Sequence, residues 1–202
     1  FSTDELPSID VLRRGASDEH EQTIIVAIDV RGPAAAAVYG RPAGLTVGVL
    51  SYLAARPGER GRGLGGRLLA RLAEIAERST VELVLGEVHD PRWYEKTDDE
   101  HPEARLRFYQ RHGARLLAVP WIQPRLAGGG ERVRDMLLLA LYANDDLVDL
   151  GVPGTWIENW AEAFYAAEEG AEPDDEEYDA LIERLTATST IALLGIDQID
   201  SV

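Results

Sequence analysis

The segment LTVGVLSYLAARPGERGRGLGGRLLARLAEIA, residues 45–76, changes character twice along its length. Residues 45–55 are rich in β-branched and apolar side chains and predict a strand. Glycine and arginine dominate residues 56–66, a composition that is typical of a loop. From Leu64 onward, apolar residues recur at helical spacing. The segment therefore predicts a strand, a glycine-rich loop and an amphipathic helix, in that order.

The glycine-rich loop has the composition of an anion-binding site. Glycines allow successive backbone amides to point the same way, and the N-terminus of the following helix adds a partial positive charge. Arginines interleaved with the glycines add full positive charges. We therefore predict a pyrophosphate cradle, with a tight turn that carries solvated arginines as the alternative. Its candidate cofactor-binding residues are Arg60, Gly61, Arg62, Gly63, Leu64, Gly65, Gly66 and Arg67.

A second cofactor interpretation competes for the same loop. Gly61, Gly63 and Gly66 also satisfy the G-x-G-x-x-G pattern of dinucleotide-binding Rossmann folds, although a single match of this kind is a weak signal. The Rossmann pattern follows its strand directly and opens a parallel βαβ unit. Here residues 56–60 intervene, and the preceding strands are predicted to be antiparallel, so the context favours a different nucleotide-type cofactor.

The segments around the loop predict a mixed α/β chain. Three strands joined by short turns precede the loop and predict an antiparallel meander. Pro102 can open a helix, since the first helical position needs no amide donor, and Gly113 can end it. A long polar loop, residues 90–101, precedes this helix and carries Trp93, Tyr94 and the acidic run Asp98-Asp99-Glu100. The predicted strands are residues 23–30, 34–40, 45–55, 81–88, 114–122 and 133–142.

Beyond about residue 150 the pattern is helical. Thr155 and Glu158 have the spacing of a capping box, and a second amphipathic helix follows Pro173. We predict two parts, residues 1–149 and an acidic helical extension, residues 150–202, packed on the same domain. Three roles stay open for this extension: solubilising the chain, forming a homodimer interface or lining a groove for a substrate.

Composition excludes several classes of chemistry. The chain has no cysteine, so disulfides, zinc–thiolate sites and a cysteinyl acyl-enzyme are excluded. Its four histidines lack metal-ligand spacing, so we expect no metal site. The net charge of −16 disfavours nucleic acids and anionic membranes as partners and favours a cationic one. No apolar run is long enough to span a bilayer, and no export signal is evident, which predicts a cytoplasmic protein.

The glycine-rich loop and the helix that Pro102 opens each contain a sequence motif. Arg60, Gly63 and Gly65 fit the pattern Gln or Arg, two residues, Gly, one residue, then Gly or Ala. Ala104 and residues 108–113, FYQRHG, fit the pattern Ala, two or three residues, Phe-Tyr, three residues, Gly. In this order, with a strand between them, they resemble the GNAT superfamily of acetyl-CoA-dependent N-acetyltransferases.

The resemblance, which covers roughly residues 23–142, implies a GNAT-like fold: a mixed, mostly antiparallel twisted sheet with flanking helices. It implies acetyl-CoA as the co-substrate and a primary amine of a small molecule as the acceptor. The backbone amides near Leu53 and Ala55 correspond to those that polarise the thioester carbonyl in the family. A member that binds acyl-CoA as a sensor, without catalysis, is the alternative.

The resemblance also implies catalytic roles for two residues. Tyr109 occupies the position of the family's general acid, and its alternative role is that of a core aromatic residue. Glu87, near the end of the strand at residues 81–88, is the predicted general base, with His89 on the same face of the strand. The alternative for Glu87 is a charged strand end that faces solvent.

One expectation concerns the wall of the acceptor site. Family members usually begin with a strand and one or two helices that form this wall, whereas only about twenty residues precede the first predicted strand here. We hypothesise that the C-terminal helices, with the aromatic residues Trp156, Trp160 and Phe164, take its place.

Overall fold

A mixed sheet is the centre of the computed structural model of this chain, which describes residues 20–94, 101–125, 130–170 and 173–202. Within these ranges the strands are β1 His20–Asp29, β2 Gly32–Pro42, β3 Val47–Ala55, β4 Leu83–His89, β5 Arg115–Leu117, β6 Trp121–Gln123, β7 Val133–Ala143, β8 Val152–Pro153, β9 Thr190–Ile191 and β10 Leu193–Leu194. Eight of these described strands form the sheet, in the order β1-β2-β3-β4-β7-β5-β10, and β6 also pairs with β7. The strands β8 and β9 form a separate ladder.

The pairing directions confirm the predicted fold class. β1, β2 and β3 form the predicted antiparallel meander, and β4, β5, β6 and β10 join the sheet through antiparallel pairs. Only β3 and β4 are parallel, and the helix that follows the glycine-rich loop connects them. The loop therefore does lie in a βαβ unit, which the sequence had not indicated.

Helices cover both faces of the sheet. They are α1 Leu64–Glu77, α2 Pro102–Arg111, α3 Asp145–Leu150, α4 Gly154–Glu169 and α5 Glu176–Ala187, and a 3₁₀ helix spans Ile196–Ser201. α1 buries Leu68, Leu72 and Ala76, which recur at the spacing predicted for its apolar stripe. Residues on β4 alternate between the two faces: Val84 and Val88 pack towards α1 and α2, whereas Leu83 and Leu85 pack towards α4 and α5. We call these the α1/α2 face and the α4/α5 face.

The predicted single strand at residues 114–122 is wrong, because the structure has two short strands there. Between β5 and β6 the Val119 amide donates back to the carbonyl of Leu117, and the Ala118 amide donates to Ala192. Pro120 then offers no amide to a ladder. The chain consequently leaves the β5 pairing and re-enters the sheet as β6.

The predicted capping box of Thr155 and Glu158 is also wrong. α4 begins at Gly154, so Thr155 already lies inside the helix, and no side chain caps its N-terminus. The Glu158 carboxylate instead accepts a hydrogen bond from the Thr186 hydroxyl of α5 at 2.8 Å. α5 does follow Pro173 as predicted, and the Asp175 side chain caps it by accepting from the Tyr178 amide.

Several short elements were not predicted, because α3, β8, β9, β10 and the 3₁₀ helix are too short to show a periodicity. Some sequence-based predictions fall outside the described residues. They are at most one short helix or strand before residue 20, the acidic run Asp98-Asp99-Glu100, and a turn at Gly128 and Gly129 between the last two predicted strands. No helix within the described ranges is both long and apolar enough to cross a membrane. Those ranges also contain no cluster of three or more side chains suited to hold a metal ion.

Gly154, the first residue of α4, lies against the backbone at the C-terminal end of α5. A Cβ added there would lie 2.9 Å from the carbonyl oxygen of Leu185 and closer still to that of Thr188, and neither backbone atom can move freely. Gly154→Ala is therefore expected to lower the free energy of unfolding by about 3 kcal/mol, measured by urea denaturation. Gly40→Ala is the matched control, because a Cβ at Gly40 would meet no heavy atom within 4 Å. Equal stability of the two variants would contradict this packing.

Candidate functional site

The pairing of β3 and β4 ends part-way along the two strands. Their parallel pairing joins residues 47–49 to residues 83–85 and then stops. β3 carries an extra residue at this point, since Val38 of β2 opposes Tyr52 while Tyr39 opposes Leu50, which leaves Ser51 as a bulge. We call the gap between residues 50–55 of β3 and residues 86–89 of β4 the cleft.

The predicted amides of Leu53 and Ala55 face this cleft. The Arg56 amide donates to the carbonyl of Ala34, so Arg56 and Ala54 direct their amides towards β2. Because successive residues of a strand alternate, the amides of Leu53 and Ala55 point to the opposite edge. That edge is the one from which β4 has diverged.

The glycine-rich loop ends in an exposed, amide-lined turn at the N-terminus of α1. Gly61 and Gly63 adopt left-handed backbone conformations, with φ of 79° and 77°, that other residues rarely tolerate. Within the described part of the chain, the amides of residues 61–66 have no hydrogen-bond acceptor, as expected at a helix N-terminus. Arg60 and Arg67 are exposed beside these amides. The arrangement can bind a doubly charged anion such as a pyrophosphate.

Arg62 differs from the other two predicted arginines because it contacts a protein carboxylate. Its guanidinium donates to Glu59, which lies 5% exposed beneath the loop and also accepts from Arg31. Burial would raise the pKa of Glu59, but the hydrogen bonds from Arg62 and Arg31 outweigh burial and hold it below its usual value. Glu59 therefore fastens the loop to the β1–β2 turn. This role is not evident from the sequence, because a single glutamate in a polar segment belongs to no recognisable pattern.

The two sequence motifs meet in space. A Cβ added at Gly65 would lie 3.0 Å from Cζ of Phe108, and one at Gly66 would overlap the imidazole of His112. Gly65 belongs to the first motif and Gly66 follows it directly, whereas Phe108 and His112 lie within the second. The small size of the glycines thus lets the start of α1 lie directly against α2.

Tyr109 lies on the α1/α2 face, partly buried against the cluster that contains Val88 and Leu106. Its ring contacts that of Phe108 edge to face, with 5.2 Å between the centroids. Burial raises the pKa of the Tyr109 hydroxyl, and the nearby charge of Arg105 only partly offsets this. The hydroxyl is therefore protonated at neutral pH, as a proton donor must be.

Glu87 projects to the α4/α5 face and does not simply face solvent. Trp121 Nε1 donates to one of its carboxylate oxygens at 2.6 Å, and Gln123 Nε2 donates to the other at 3.1 Å. Burial raises the pKa of Glu87 to about 7, although both hydrogen bonds oppose the rise, and the charge of Glu168 on α4 adds to it. A carboxyl with this pKa exchanges protons readily near neutral pH. His89, on the same strand face, stacks on Tyr94 with 3.7 Å between centroids.

The structure therefore places the predicted residues on both faces of the sheet. The cradle, the Leu53 and Ala55 edge and Tyr109 belong to β3, α1 and α2, whereas Glu87 faces α4. Of the hypothesised aromatic wall, Trp160 and Phe164 are buried against Trp121 and belong to the core. The charged C-terminal part of α4, with Glu168, is what lies near Glu87.

This chain is similar in sequence to a known protein family. The sequence model of the Acetyltransferase (GNAT) family matches residues 2–114. Among curated proteins, none has a significantly similar sequence.

Solved structures extend the comparison to three dimensions. A protein assigned to the GNAT acetyltransferases from Bacteroides thetaiotaomicron is 24% identical, with a TM-score of 0.55 over 73% of this chain and 76% of that chain. The ribosomal-protein-S18-alanine N-acetyltransferase from Escherichia coli is 19% identical, with a TM-score of 0.46 over 70% and 82% of the two chains. A Bacillus subtilis acetyltransferase in complex with CoA is 17% identical, with a TM-score of 0.46 over 66% and 82%. The Bacteroides structure shows a shared fold.

Proposed function

Because this chain belongs to the GNAT acetyltransferase family, we propose that it transfers the acetyl group of acetyl-CoA directly to a primary amine of a small molecule. The proposal is supported mainly by one observation: the anion cradle follows β3, whose edge at Leu53 and Ala55 is not paired with β4. The amides of residues 61–66, which have no acceptor among the described residues, lie beyond the end of β3, and the amides of Leu53 and Ala55 point to the strand edge on the side of the cleft.

These groups fit the parts of acetyl-CoA in order. The cradle amides, with Arg60 and Arg67, would hold the pyrophosphate, and the free edge of β3 would pair with the amide-containing arm that leads to the thioester. The thioester supplies the activated acetyl group. An amide at Leu53 or Ala55 would donate to the carbonyl oxygen, where negative charge develops during attack.

We assign the two proton transfers of the reaction to two different residues. The acceptor arrives as an ammonium ion and loses a proton to Glu87, whose pKa of about 7 suits this role. The neutral nitrogen then forms a bond to the carbonyl carbon, the carbon–sulfur bond breaks, and the nitrogen loses its second proton to solvent. Tyr109 would protonate the departing thiolate, since its hydroxyl is protonated at neutral pH, and would then regain a proton from solvent. The chain has no cysteine, so transfer without an acyl-cysteine step is the route that its residues allow.

A small cationic acceptor is the class that the electrostatics support. The net charge of −16 attracts ammonium ions over the whole surface. Near the proposed base, Glu168 adds a further carboxylate from α4, and its charge acts on Glu87. We propose that the C-terminal part of α4 forms one wall of the acceptor site.

Titration calorimetry tests the cradle. We expect acetyl-CoA to bind with micromolar affinity, and the double variant Arg60→Ala/Arg67→Ala to bind it at least ~10-fold more weakly, because charge-assisted hydrogen bonds to phosphate are lost. Arg71→Ala/Arg78→Ala is the matched control, because it removes the same charge from exposed positions farther along α1. Binding by the wild type then justifies a screen of amines for release of free thiol.

Two results would count against the proposal. Equal weakening in both double variants would mean that general electrostatics, and not the cradle, attracts the cofactor. Binding of NAD in preference to acetyl-CoA would support the dinucleotide interpretation of the same glycines.

A further inference from the structure

The carboxylate of Glu87 is held at both oxygens by side chains of one short strand. Trp121 Nε1 and Gln123 Nε2 are the two donors, and both lie on β6, outside residues 2–114 that the family model matches. Two donors on two oxygens restrict rotation of the carboxylate about its last bond. Each oxygen keeps a lone pair with which to accept a proton.

β6 is itself fixed from the other side, by α4. The Tyr165 hydroxyl donates to the backbone carbonyl of Ile122, which lies between the two donors, at 2.5 Å. The Trp121 indole packs against the Trp160 ring, with 5.1 Å between centroids, and is 1% exposed. The backbone of β6 and the Trp121 indole are therefore held in place, and the Glu87 carboxylate adopts the geometry that β6 sets.

We propose that Trp121 and Gln123 are positioning residues of the acetyl transfer reaction, which hold the Glu87 carboxylate in the orientation and the protonation state needed to accept the proton of the substrate ammonium. This inference rests on the proposed role of Glu87 as the base. It adds that residues C-terminal to the segment that the family model matches, on β6 and α4, support the catalytic centre.

The groups around Glu87 decide the direction of the effect. Both β6 donors are neutral and stabilise the charged carboxylate, whereas burial and Glu168 of α4 favour the protonated form. β7 places the apolar Leu138 opposite Glu87, and His89 follows on the same face of β4. Loss of either donor therefore raises the pKa of Glu87, and the base becomes protonated over more of the neutral range.

The test compares Trp121→Phe and Gln123→Leu with Trp160→Phe. Trp160 is the matched control, because its indole is buried beside that of Trp121, but its Nε1 has no hydrogen-bond partner among the described residues. The first readout is the titration of the Glu87 carboxyl by ¹³C NMR, with the resonance assigned from its absence in Glu87→Gln. This readout needs neither acetyl-CoA nor an acceptor.

We expect the Glu87 midpoint to rise by about one pH unit in Trp121→Phe and in Gln123→Leu, since one unit corresponds to one charge-assisted hydrogen bond. The midpoint in Trp160→Phe should stay close to that of the wild type. The second readout is the pH profile of kcat/KM, whose acid limb should move upward by the same amount. Activity that these variants lose at pH 7 should therefore return at higher pH, which a merely structural defect would not produce.

The two readouts separate the two proposals. An unchanged Glu87 midpoint in Trp121→Phe and Gln123→Leu would overturn the positioning role, whatever the enzyme acetylates. The same shift in all three variants would also overturn it, because repacking would then be the cause. Wild-type activity of Glu87→Gln would instead overturn the assignment of the base, and with it the proposed mechanism.

Discussion

Replacement of Tyr109 by phenylalanine is expected to lower kcat for acetyl transfer by about 10²- to 10⁴-fold, the range that positioned proton donors contribute. The hydroxyl is the group lost, and its raised pKa keeps it protonated at neutral pH in the wild type. Phenylalanine retains the ring that packs against Phe108 and the cluster around Leu106. Steady-state release of free thiol at saturating acetyl-CoA measures the effect.

The same variant distinguishes an enzyme from a sensor. If Tyr109 protonates the leaving thiolate, Tyr109→Phe should bind acetyl-CoA with a Kd within about twofold of the wild type while losing turnover. Tyr142→Phe removes a hydroxyl from another partly buried tyrosine on β7 and serves as the control. Full turnover by Tyr109→Phe would exclude its role as the acid, whereas a wild type that binds acetyl-CoA but releases no thiol with any amine would favour a protein whose function is to bind acyl-CoA.

Replacement of Arg132 by methionine is expected to lower the free energy of unfolding by about 3–5 kcal/mol at pH 7, as for other broken buried ion pairs. The Arg132 side chain is 2% exposed and donates to both oxygens of Glu169, at 2.8 and 3.0 Å. It also donates to both oxygens of Asp175, at 2.7 and 2.8 Å. Methionine would leave these carboxylates without their cation, between the end of α4 and the start of α5. Urea denaturation measures the loss.

The pH dependence of this loss has a definite sign. The Arg132 guanidinium is the largest cause that lowers the pKa of Asp175, to about 2, and that of Glu169. Carboxyls with lowered pKa values contribute stability above their ordinary pKa of roughly 4, and that contribution is lost as the pH falls towards 2. The difference between wild type and Arg132→Met should therefore shrink over this acidic range.

Arg134→Met is the matched control for Arg132. Arg134 lies two residues further along the chain, but its side chain is 61% exposed and pairs with Glu177 at the surface. Its replacement should change stability by at most about 1 kcal/mol. Similar urea midpoints for the two methionine variants would show that the buried network does not stabilise the junction of α4 and α5.

Much of the fold could be predicted because its signals are local. The three strands of the meander, the start of α1 at Leu64 and the helix opened by Pro102 all appear where the patterns placed them. Errors arose where a distant contact overrides a local preference. Thr155 has the sequence of a helix cap, but the helix starts two residues earlier, where Gly154 packs against the end of α5.

The same distinction between local signals and distant contacts applies to the candidate site. From the sequence by itself, the glycine-rich loop, the two family motifs and the positions of Tyr109 and Glu87 could be identified, because glycine conformation, helical spacing and motif spacing are properties of neighbouring residues. Only the tertiary structure decided that Glu59 is buried beneath the loop and that Trp121 and Gln123 hold Glu87. The physical reason is that these contacts join strands and helices far apart in the chain, and the register of β4, β7 and β6 that creates them depends on the packing of the whole sheet.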